Sequence, residues 1–269
     1  MLFDKLGLSA KGLKKTATGA RSTRESELLK LKGTHPVIEK ILAHRELQKL
    51  LSTYIDNIPS MLDNESALHT TLNQNGTTTG RMSSNNPNLQ NIPTRDSLGA
   101  AVRGAFVARP GFKLLAFDYS QIELRILAVL SGDPSLAEVF KTGKDVHSSV
   151  AAKVFGVKEE VVTKEMRRRA KVINFGIIYG MGVNALKTSL GTTRQEAEQF
   201  MTNYFDTFPT IKKYFANVVA LAKQRGYTET LFGRRRYLPA LKSRLPQILA
   251  GAERMAMNAP LQGTAADVI

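Results

Sequence analysis

From Ile122 onward the chain is a succession of helix-patterned segments, and this pattern is the strongest constraint on its fold. Residues that favour helix ends punctuate the pattern. Asp145 and Thr163 are suited to cap the starts of two helices, and Pro209 is suited to open another. Gly226 follows at the distance where a glycine commonly ends a helix. The sequence therefore predicts a largely helical second half.

The other predicted elements are few and short. Helices are predicted over 122–130, 145–155, 163–181, 193–204, 209–226 and onward from 246, with a capping box at Thr193 and Glu196. Two further helices are predicted between Glu27 and Ile55, the second beginning at Pro36. Strands or hairpins are predicted over 67–84, 112–117 and 227–238. Helices with a few antiparallel or mixed strands indicate the α+β class.

Composition narrows the functional classes. The chain has 38 Lys and Arg against 23 Asp and Glu, a net charge of +15, which points to a polyanionic partner such as nucleic acid. A basic surface kept for solubility is the alternative. The absence of cysteine excludes a disulfide scaffold, a thiolate zinc site and a catalytic cysteine. The sequence contains no membrane-length apolar run, so a soluble cytoplasmic protein without a membrane partner is expected.

One predicted helix combines cations with aromatic residues. Arg167, Lys171, Phe175 and Tyr179 recur every four residues and share a face. Arg167 and Phe175 are separated by roughly 12 Å along a helix axis, which is about the reach of a nucleotide from its outer phosphates to its base. The cations could bind a triphosphate while the aromatic rings meet the base or sugar. A solvated basic turn followed by an apolar core face is the alternative.

Acidic and amide residues form weaker signals. Asp118 follows the predicted strand 112–117, where a carboxylate could bind Mg²⁺ or simply cap the next helix. Residues 77–91 are rich in hydroxyls and amides around Arg81, which suit contacts to phosphate, sugar and the minor groove. Asn258 and Gln262 lie one helical turn apart and could do the same. His147 and the run 234–236 could contact phosphate, although each is also consistent with an ordinary polar surface.

Four segments taken together resemble known motifs. Asp118–Arg125, with the sequence DYSQIELR, resembles the first palm motif of family A DNA polymerases, the bacterial DNA polymerase I type. Residues 167–180, RRRAKVINFGIIYG, resemble the fingers helix of that family. Thr79–Arg81 with Pro87–Pro93 resembles its primer–template loop, and Asn258–Asp267 resembles a further palm segment. The resemblance extends from about Glu27 to Ile269.

The resemblance implies a right-hand polymerase with mostly helical fingers and part of a palm sheet. It assigns 1–66 to a thumb remnant and connecting helices, 67–134 to the first part of the palm, 135–245 to the fingers and 246–269 to the return into the palm. It implies a DNA-directed DNA polymerase of replication and repair, which adds deoxynucleotides to a primer 3′-hydroxyl with two Mg²⁺ ions. The implied partners are primer–template DNA and deoxynucleoside triphosphates, bound by a monomer in the cytoplasm of a bacterial or phage-infected cell.

The resemblance also implies roles for individual residues. Asp118 would bind both Mg²⁺ ions, assisted by the carbonyl of Tyr119. Arg167, Lys171 and His147 would hold the triphosphate, and the first two would offset charge on the leaving pyrophosphate. Phe175 would pack on the incoming nucleotide and, as Phe rather than Tyr, imply discrimination against dideoxynucleotides. The remaining implied nucleotide-site residues are Gln121, Glu123, which would crowd the sugar 2′ position, and Tyr179, which would stack near the templating base. The implied DNA contacts are Arg81, Asn88, Gln90, Asn91, Asn258 and Gln262.

The sequence departs from the family pattern in one respect. The family supplies a second catalytic aspartate in a His-Asp-Glu type segment, which the sequence lacks, so an incomplete fragment that extends primers poorly is expected. Two other functions stay open. A single-subunit RNA polymerase uses a similar residue set, although Glu123 and Phe175 argue against it. A non-catalytic basic module that coats DNA is the other.

Overall fold

Helices dominate the structure, a computed structural model that describes residues 2–93 and 97–269. The chain divides into two compact units, the first formed by Met1–Leu72 with Ser84–Leu115, the second by Asn73–Ser83 with Ala116–Ile269. Among the described residues, no helix has the length and apolar character needed to cross a membrane. The α+β class is confirmed. The division into thumb, palm and fingers stays a prediction.

The first unit contains helices of different lengths. They are α1 (Glu25–Leu28), α2 (Pro36–Leu50) and α3 (Ser97–Gly104), with 3-10 turns at Leu29–Leu31, Ile58–Met61 and Leu89–Asn91 and a π turn at Leu51–Ile55. Pro36 opens α2 as predicted, and the ring of His35 accepts a hydrogen bond from the Val37 amide at 3.1 Å. Leu13, Leu28 and Ile38 belong to a small buried core. The predicted hairpin region is reduced to strands β1 (Thr71–Asn73) and β2 (Ser83–Asn85), which pair with each other at the points where the chain passes from one unit to the other.

The second unit contains the remaining helices of the described residues. They are α4 (Ile122–Ser131), α5 (Pro134–Lys141), α6 (Val146–Phe155), α7 (Lys164–Ile178), α8 (Val183–Leu190), α9 (Arg194–Thr207), α10 (Pro209–Arg225) and α11 (Pro246–Val268), with 3-10 turns at Glu159–Val161 and Pro239–Lys242. Strands β3 (Tyr227–Glu229) and β4 (Arg235–Tyr237) form an antiparallel hairpin. A continuous apolar core joins α4 to α11 and includes Leu124, Ile173, Tyr204 and Leu261.

The predicted helix ends are confirmed where they depend on local hydrogen bonds. Asp145 caps α6 by accepting from the Ser148 amide at 2.7 Å, and Thr163 caps α7 by accepting from the Met166 amide at 3.1 Å. The capping box at the start of α9 is present, because Thr193 and Glu196 each accept from the other's backbone amide. Gly226 closes α10 with φ of 82°.

The predicted strand over 112–117 is wrong. This segment has no strand assignment, and its apolar side chains are exposed, with Phe117 at 92%. A strand needs a neighbouring strand for its backbone hydrogen bonds, and the described sheets pair other segments. An apolar run indicates a tendency toward burial, but it does not supply that neighbour. Asp118 consequently follows a segment without regular secondary structure rather than a strand.

Candidate functional site

Helix α7 presents a ridge of polar and aromatic side chains to solvent, formed by Arg167, Lys171, Phe175 and Tyr179. Its buried face carries Ala170, Ile173 and Ile177, which pack into the core of the second unit. Arg167 and Lys171 are exposed on another face, Phe175 is half-buried, and Tyr179 at the helix end is 43% exposed. The predicted row of residues is therefore accessible along its length. Phe175 and Tyr179 do not belong to the buried core of the second unit, and their role in nucleotide binding stays a prediction.

Arg167 is held at one end of the ridge by an acidic residue. Its Nε and Nη2 atoms donate to the two carboxylate oxygens of Asp145 at 3.0 and 2.9 Å. Burial raises the pKa of Asp145, but the hydrogen bonds from Arg167 and Ser148 outweigh that effect and bring the pKa down to about 2. The same ion pair raises the pKa of Arg167. The guanidinium is thus charged and fixed in direction.

His147 lies beneath the ridge rather than on it. It is 3% exposed, its Nδ1 lies 3.0 Å from Nδ2 of the buried Asn174, and its ring centroid lies 6.0 Å from that of Phe175. Burial lowers the pKa of His147, and the charges of Arg167 and Lys171 lower it further, against an opposing effect of Asp145. A contact of this neutral ring with a triphosphate stays a prediction.

A pH-dependent stability follows from that buried ring. An unfolded histidine takes up a proton near pH 6.5, whereas folded His147 resists protonation, so its contribution is present above pH 6.5 and is lost as the pH falls. We expect the free energy of unfolding to decline more steeply between pH 7.5 and 5.5 in the unsubstituted chain than in His147→Gln. Urea denaturation at several pH values measures both slopes, and parallel curves would contradict the assignment.

Glu123 joins the ridge to the loop that contains Arg81. The Glu123 carboxylate, 7% exposed, lies 2.5 Å from Nη2 of Arg81 and accepts a hydrogen bond from the Tyr179 hydroxyl at 3.4 Å. Burial raises the pKa of Tyr179, and the negative charge of Glu123 raises it further. Three residues predicted from separate motifs therefore meet in one cluster of the second unit.

A tight turn positions the residues before α4. Gln121 has a left-handed backbone with φ of 49°, and the carbonyl of Ser120 accepts from Nε of Arg125 at 3.0 Å. Asp118 and Tyr119, just before this turn, are exposed. Mg²⁺ in proteins takes one or two carboxylates and completes its shell with water and phosphate oxygens. Asp118 fits one such ligand, but the described residues contain no group of three or more His, Asp or Glu side chains able to hold a metal.

The loop Thr79–Arg81 lies close to the β3–β4 hairpin. Gly80 has φ of 84°, a conformation that favours glycine, and a Cβ there would lie 2.6 Å from Cζ of Arg234. Nε of Arg234 donates to Oδ1 of the largely buried Asp267 at 2.7 Å. The three consecutive arginines of the hairpin are therefore not equivalent. Arg234 and Arg235 are exposed, but Arg234 is paired with Asp267, and Arg236 is half-buried.

Helix α11 places two predicted DNA contacts beside the end of α7. Asn258 donates through Nδ2 to the carbonyl of Ile178 at 3.4 Å, and Gln262, also half-buried, follows one turn later. Arg254 lies one turn before Asn258 and is exposed, so 254, 258 and 262 follow one side of the helix. Arg254 has the spacing of four from Asn258 that places it beside the predicted DNA contacts, although no motif in the sequence indicates it.

Three further predicted DNA contacts belong to the first unit. Asn88 accepts from the Gln90 amide at 3.0 Å through its side-chain oxygen, and the Asn91 carbonyl accepts from the Tyr54 hydroxyl. All three side chains are exposed. Their proposed role in DNA binding stays a prediction. Among the predicted residues of the second unit, Glu123 contacts Arg81 and Tyr179, and the ring of His147 lies near that of Phe175.

Comparison with known proteins decides the family. The family profile described as DNA polymerase family A matches residues 1–269. The chain belongs to DNA polymerase family A. Enzymes of this family are metal-dependent.

Members of family A from several bacteria are similar to this chain. It is 51% identical over 270 residues to the thermostable DNA polymerase I of Thermus filiformis, covering 100% of this chain and 32% of that protein. It is 49% identical over 271 residues to DNA polymerase I of Geobacillus stearothermophilus, covering 100% and 31%. The chain thus spans about a third of the length of these curated relatives.

A solved structure of a family A member is also similar. The POL domain of Pol1 from M. smegmatis, in complex with a DNA primer-template and dNTP, matches with a TM-score of 0.88 and 44% identity. The match covers 99% of this chain and 47% of that one. The right-hand polymerase fold expected from the sequence is confirmed by this likeness.

Proposed function

We propose that this chain binds an incoming deoxynucleoside triphosphate along α7 and primer–template DNA beside it, as part of a DNA-directed DNA polymerase. The reaction is addition of a deoxynucleotide to a primer 3′-hydroxyl with loss of pyrophosphate. The observation that carries this proposal is the accessible α7 ridge. Arg167 and Lys171 lie at one end of it and Phe175 at the other, a spacing that suits phosphates and a nucleoside.

The roles of the ridge residues follow from their chemistry. Arg167 and Lys171 bind the triphosphate and offset the charge that develops on the leaving pyrophosphate. Phe175 packs on the sugar and base, and Tyr179 stacks near the templating position. Each of these side chains is accessible in the described part of the chain. His147 and Gln121 are proposed to complete the nucleotide site, from below the ridge and from the turn before α4.

Two Mg²⁺ ions are proposed as cofactors. Asp118 and the carbonyl of Tyr119 would hold them, together with triphosphate oxygens and water. The ions, when bound, stabilise the attacking and leaving oxygens of the displacement. Exposure of Asp118 is consistent with a ligand that meets its substrate at the surface. Replication and repair in a bacterial cytoplasm, by a monomer, are proposed on the basis of family membership.

Discrimination between sugars favours DNA over RNA synthesis. Glu123 is held by Arg81 and Tyr179, next to the proposed nucleotide site. A fixed carboxylate there would crowd a ribose 2′-hydroxyl and admit a deoxyribose. This argues for the DNA polymerase over the single-subunit RNA polymerase. Comparison of dATP with ATP binding tests the point, and preference for ATP would favour the RNA polymerase.

Contacts from α11 are proposed to bind the minor groove of the primer–template. Asn258→Ala together with Gln262→Ala should weaken binding of a short primer–template duplex about five- to a hundredfold, because the two lost hydrogen bonds are together worth about 1–3 kcal/mol. Fluorescence anisotropy with a labelled duplex measures the affinity. Gln247→Ala, an exposed amide in the first turn of the same helix, is the control. Equal effects of the control and the double variant would contradict the assignment.

A further inference from the structure

We propose that Asp145 is a positioning residue, which fixes the guanidinium of Arg167 so that its free edge faces the triphosphate of an incoming nucleotide. This inference rests on the proposed function, in which Arg167 binds that triphosphate. Asp145 itself does not contact the nucleotide in this scheme. It acts only through the arginine, from the start of the neighbouring helix α6.

The geometry divides the guanidinium into two edges. Nε and Nη2 of Arg167 donate to Oδ1 and Oδ2 of Asp145 at 3.0 and 2.9 Å. An arginine carries five N–H donors in a rigid plane, and this pairing uses two of them along one edge. The donors on Nη1 and the second donor on Nη2 point away from Asp145. They form a ready edge for phosphate oxygens.

Asp145 is itself fixed without help from Arg167. Its Oδ1 atom accepts from the Ser148 amide at 2.7 Å and caps helix α6. The position of the carboxylate therefore follows from the α6 backbone, and α6 packs against α7 within the second unit. The low pKa of Asp145, about 2, keeps it ionised throughout the neutral range. The carboxylate of Asp145 is thus held by α6, independently of the Arg167 side chain that it binds.

Positioning and simple electrostatics predict opposite changes in nucleotide affinity when the charge of Asp145 is removed. A negative charge near a triphosphate repels it, so neutralising Asp145 would tighten nucleotide binding if electrostatics alone mattered. A long arginine side chain released from its partner samples many rotamers, and ordering it again on binding costs free energy. Side chains of Arg167 and Asp145 are 46% and 36% exposed, so solvent screens the repulsion. We therefore expect the loss of positioning to dominate.

Asp145→Asn removes the paired hydrogen bonds with Arg167 but keeps the cap of helix α6. Asparagine caps helices about as well as aspartate, so the thermal midpoint should stay near that of the unsubstituted chain. The amide cannot accept two hydrogen bonds from one guanidinium edge. We expect the Kd for dATP, measured by calorimetry with Mg²⁺, to rise about five- to tenfold. An unchanged or lower Kd would overturn the inference.

Arg167→Ala and the double variant, which combines it with Asp145→Asn, complete a double-mutant cycle. If Asp145 acts through Arg167, then Asp145→Asn should cause no further rise in the Kd once Arg167 is alanine. A further rise in the double variant would show another role for Asp145 and overturn the inference. If Arg167→Ala weakens dATP binding and Asp145→Asn leaves it unchanged, the inference is rejected and the proposed function is kept. Unchanged binding in Arg167→Ala would reject both. If Asp145→Asn lowers the thermal midpoint, Asp145→Ser, which keeps a capping hydroxyl but cannot reach Arg167, supplies the same comparison.

Discussion

Gly180→Ala is expected to lower the free energy of unfolding of the second unit by about 2–4 kcal/mol. Gly180 follows α7 with φ of 62°, a conformation that strains an alanine. A Cβ there would lie 2.7 Å from Cε of Met257, 3.0 Å from Cγ of Arg254 and 3.3 Å from the Cα of Arg254. The methionine tip can move, but the α11 backbone cannot move without displacing the helix. Urea denaturation measures the loss.

Gly182→Ala is the matched control for that substitution. Gly182 has φ of −83°, and a Cβ there would meet no atom within 4 Å. We expect this alanine to cost less than about 1 kcal/mol, mainly through the change at the start of α8. Equal losses in the two variants would show that the close approach of α7 and α11 is unimportant for stability.

The close approach at Gly180 also matters for the site. It sets Tyr179, at the end of α7, beside the helix that carries Asn258 and Gln262. A proposed nucleotide contact and proposed DNA contacts are thus held together by one backbone crossing. The sequence marks Gly180 only as part of a motif. The need for a glycine there is visible only in the three-dimensional structure, where a side chain at this position would enter the contact between two helices.

Sequence reasoning succeeded where the cause is local. Helix caps such as Thr163 and the box at Thr193 act on amides within three residues, so a short window contains all the necessary information. The spacing of the α7 ridge is likewise a property of helix geometry. The side of that helix that faces solvent cannot be predicted in the same way, because it depends on how the neighbouring helices pack.

Sequence reasoning failed where a partner lies far along the chain. The apolar run 112–117 predicted a strand, but no described segment pairs with it. The ring of His147 is buried beside Asn174, which is 27 residues away, and the sequence carries no signal of that pairing. The pairing of Arg167 with Asp145 spans 22 residues and had no signal in the sequence. Such contacts become visible only once the helices are packed.

Lys171→Ala is expected to weaken dATP binding at least about tenfold. Hydrogen bonds to charged groups contribute about 1.5–3 kcal/mol, which corresponds to roughly a tenfold to hundredfold change in Kd. Lys171 lies one turn after Arg167 on the exposed side of α7, so its ammonium can reach the same phosphates. Alanine favours helix, so α7 itself should stay intact. Calorimetric titration of each variant with dATP in the presence of Mg²⁺ measures the change.

The comparison of Lys171→Ala with Lys164→Ala tests the central claim most directly. Lys164 is exposed in the first turn of the same helix, so both substitutions remove one positive charge from α7. The nucleotide-binding ridge predicts at least a tenfold rise in the Kd for Lys171→Ala and a change within about twofold for Lys164→Ala. Equal, small changes in both variants would contradict it and would favour a basic module that coats DNA without binding nucleotide.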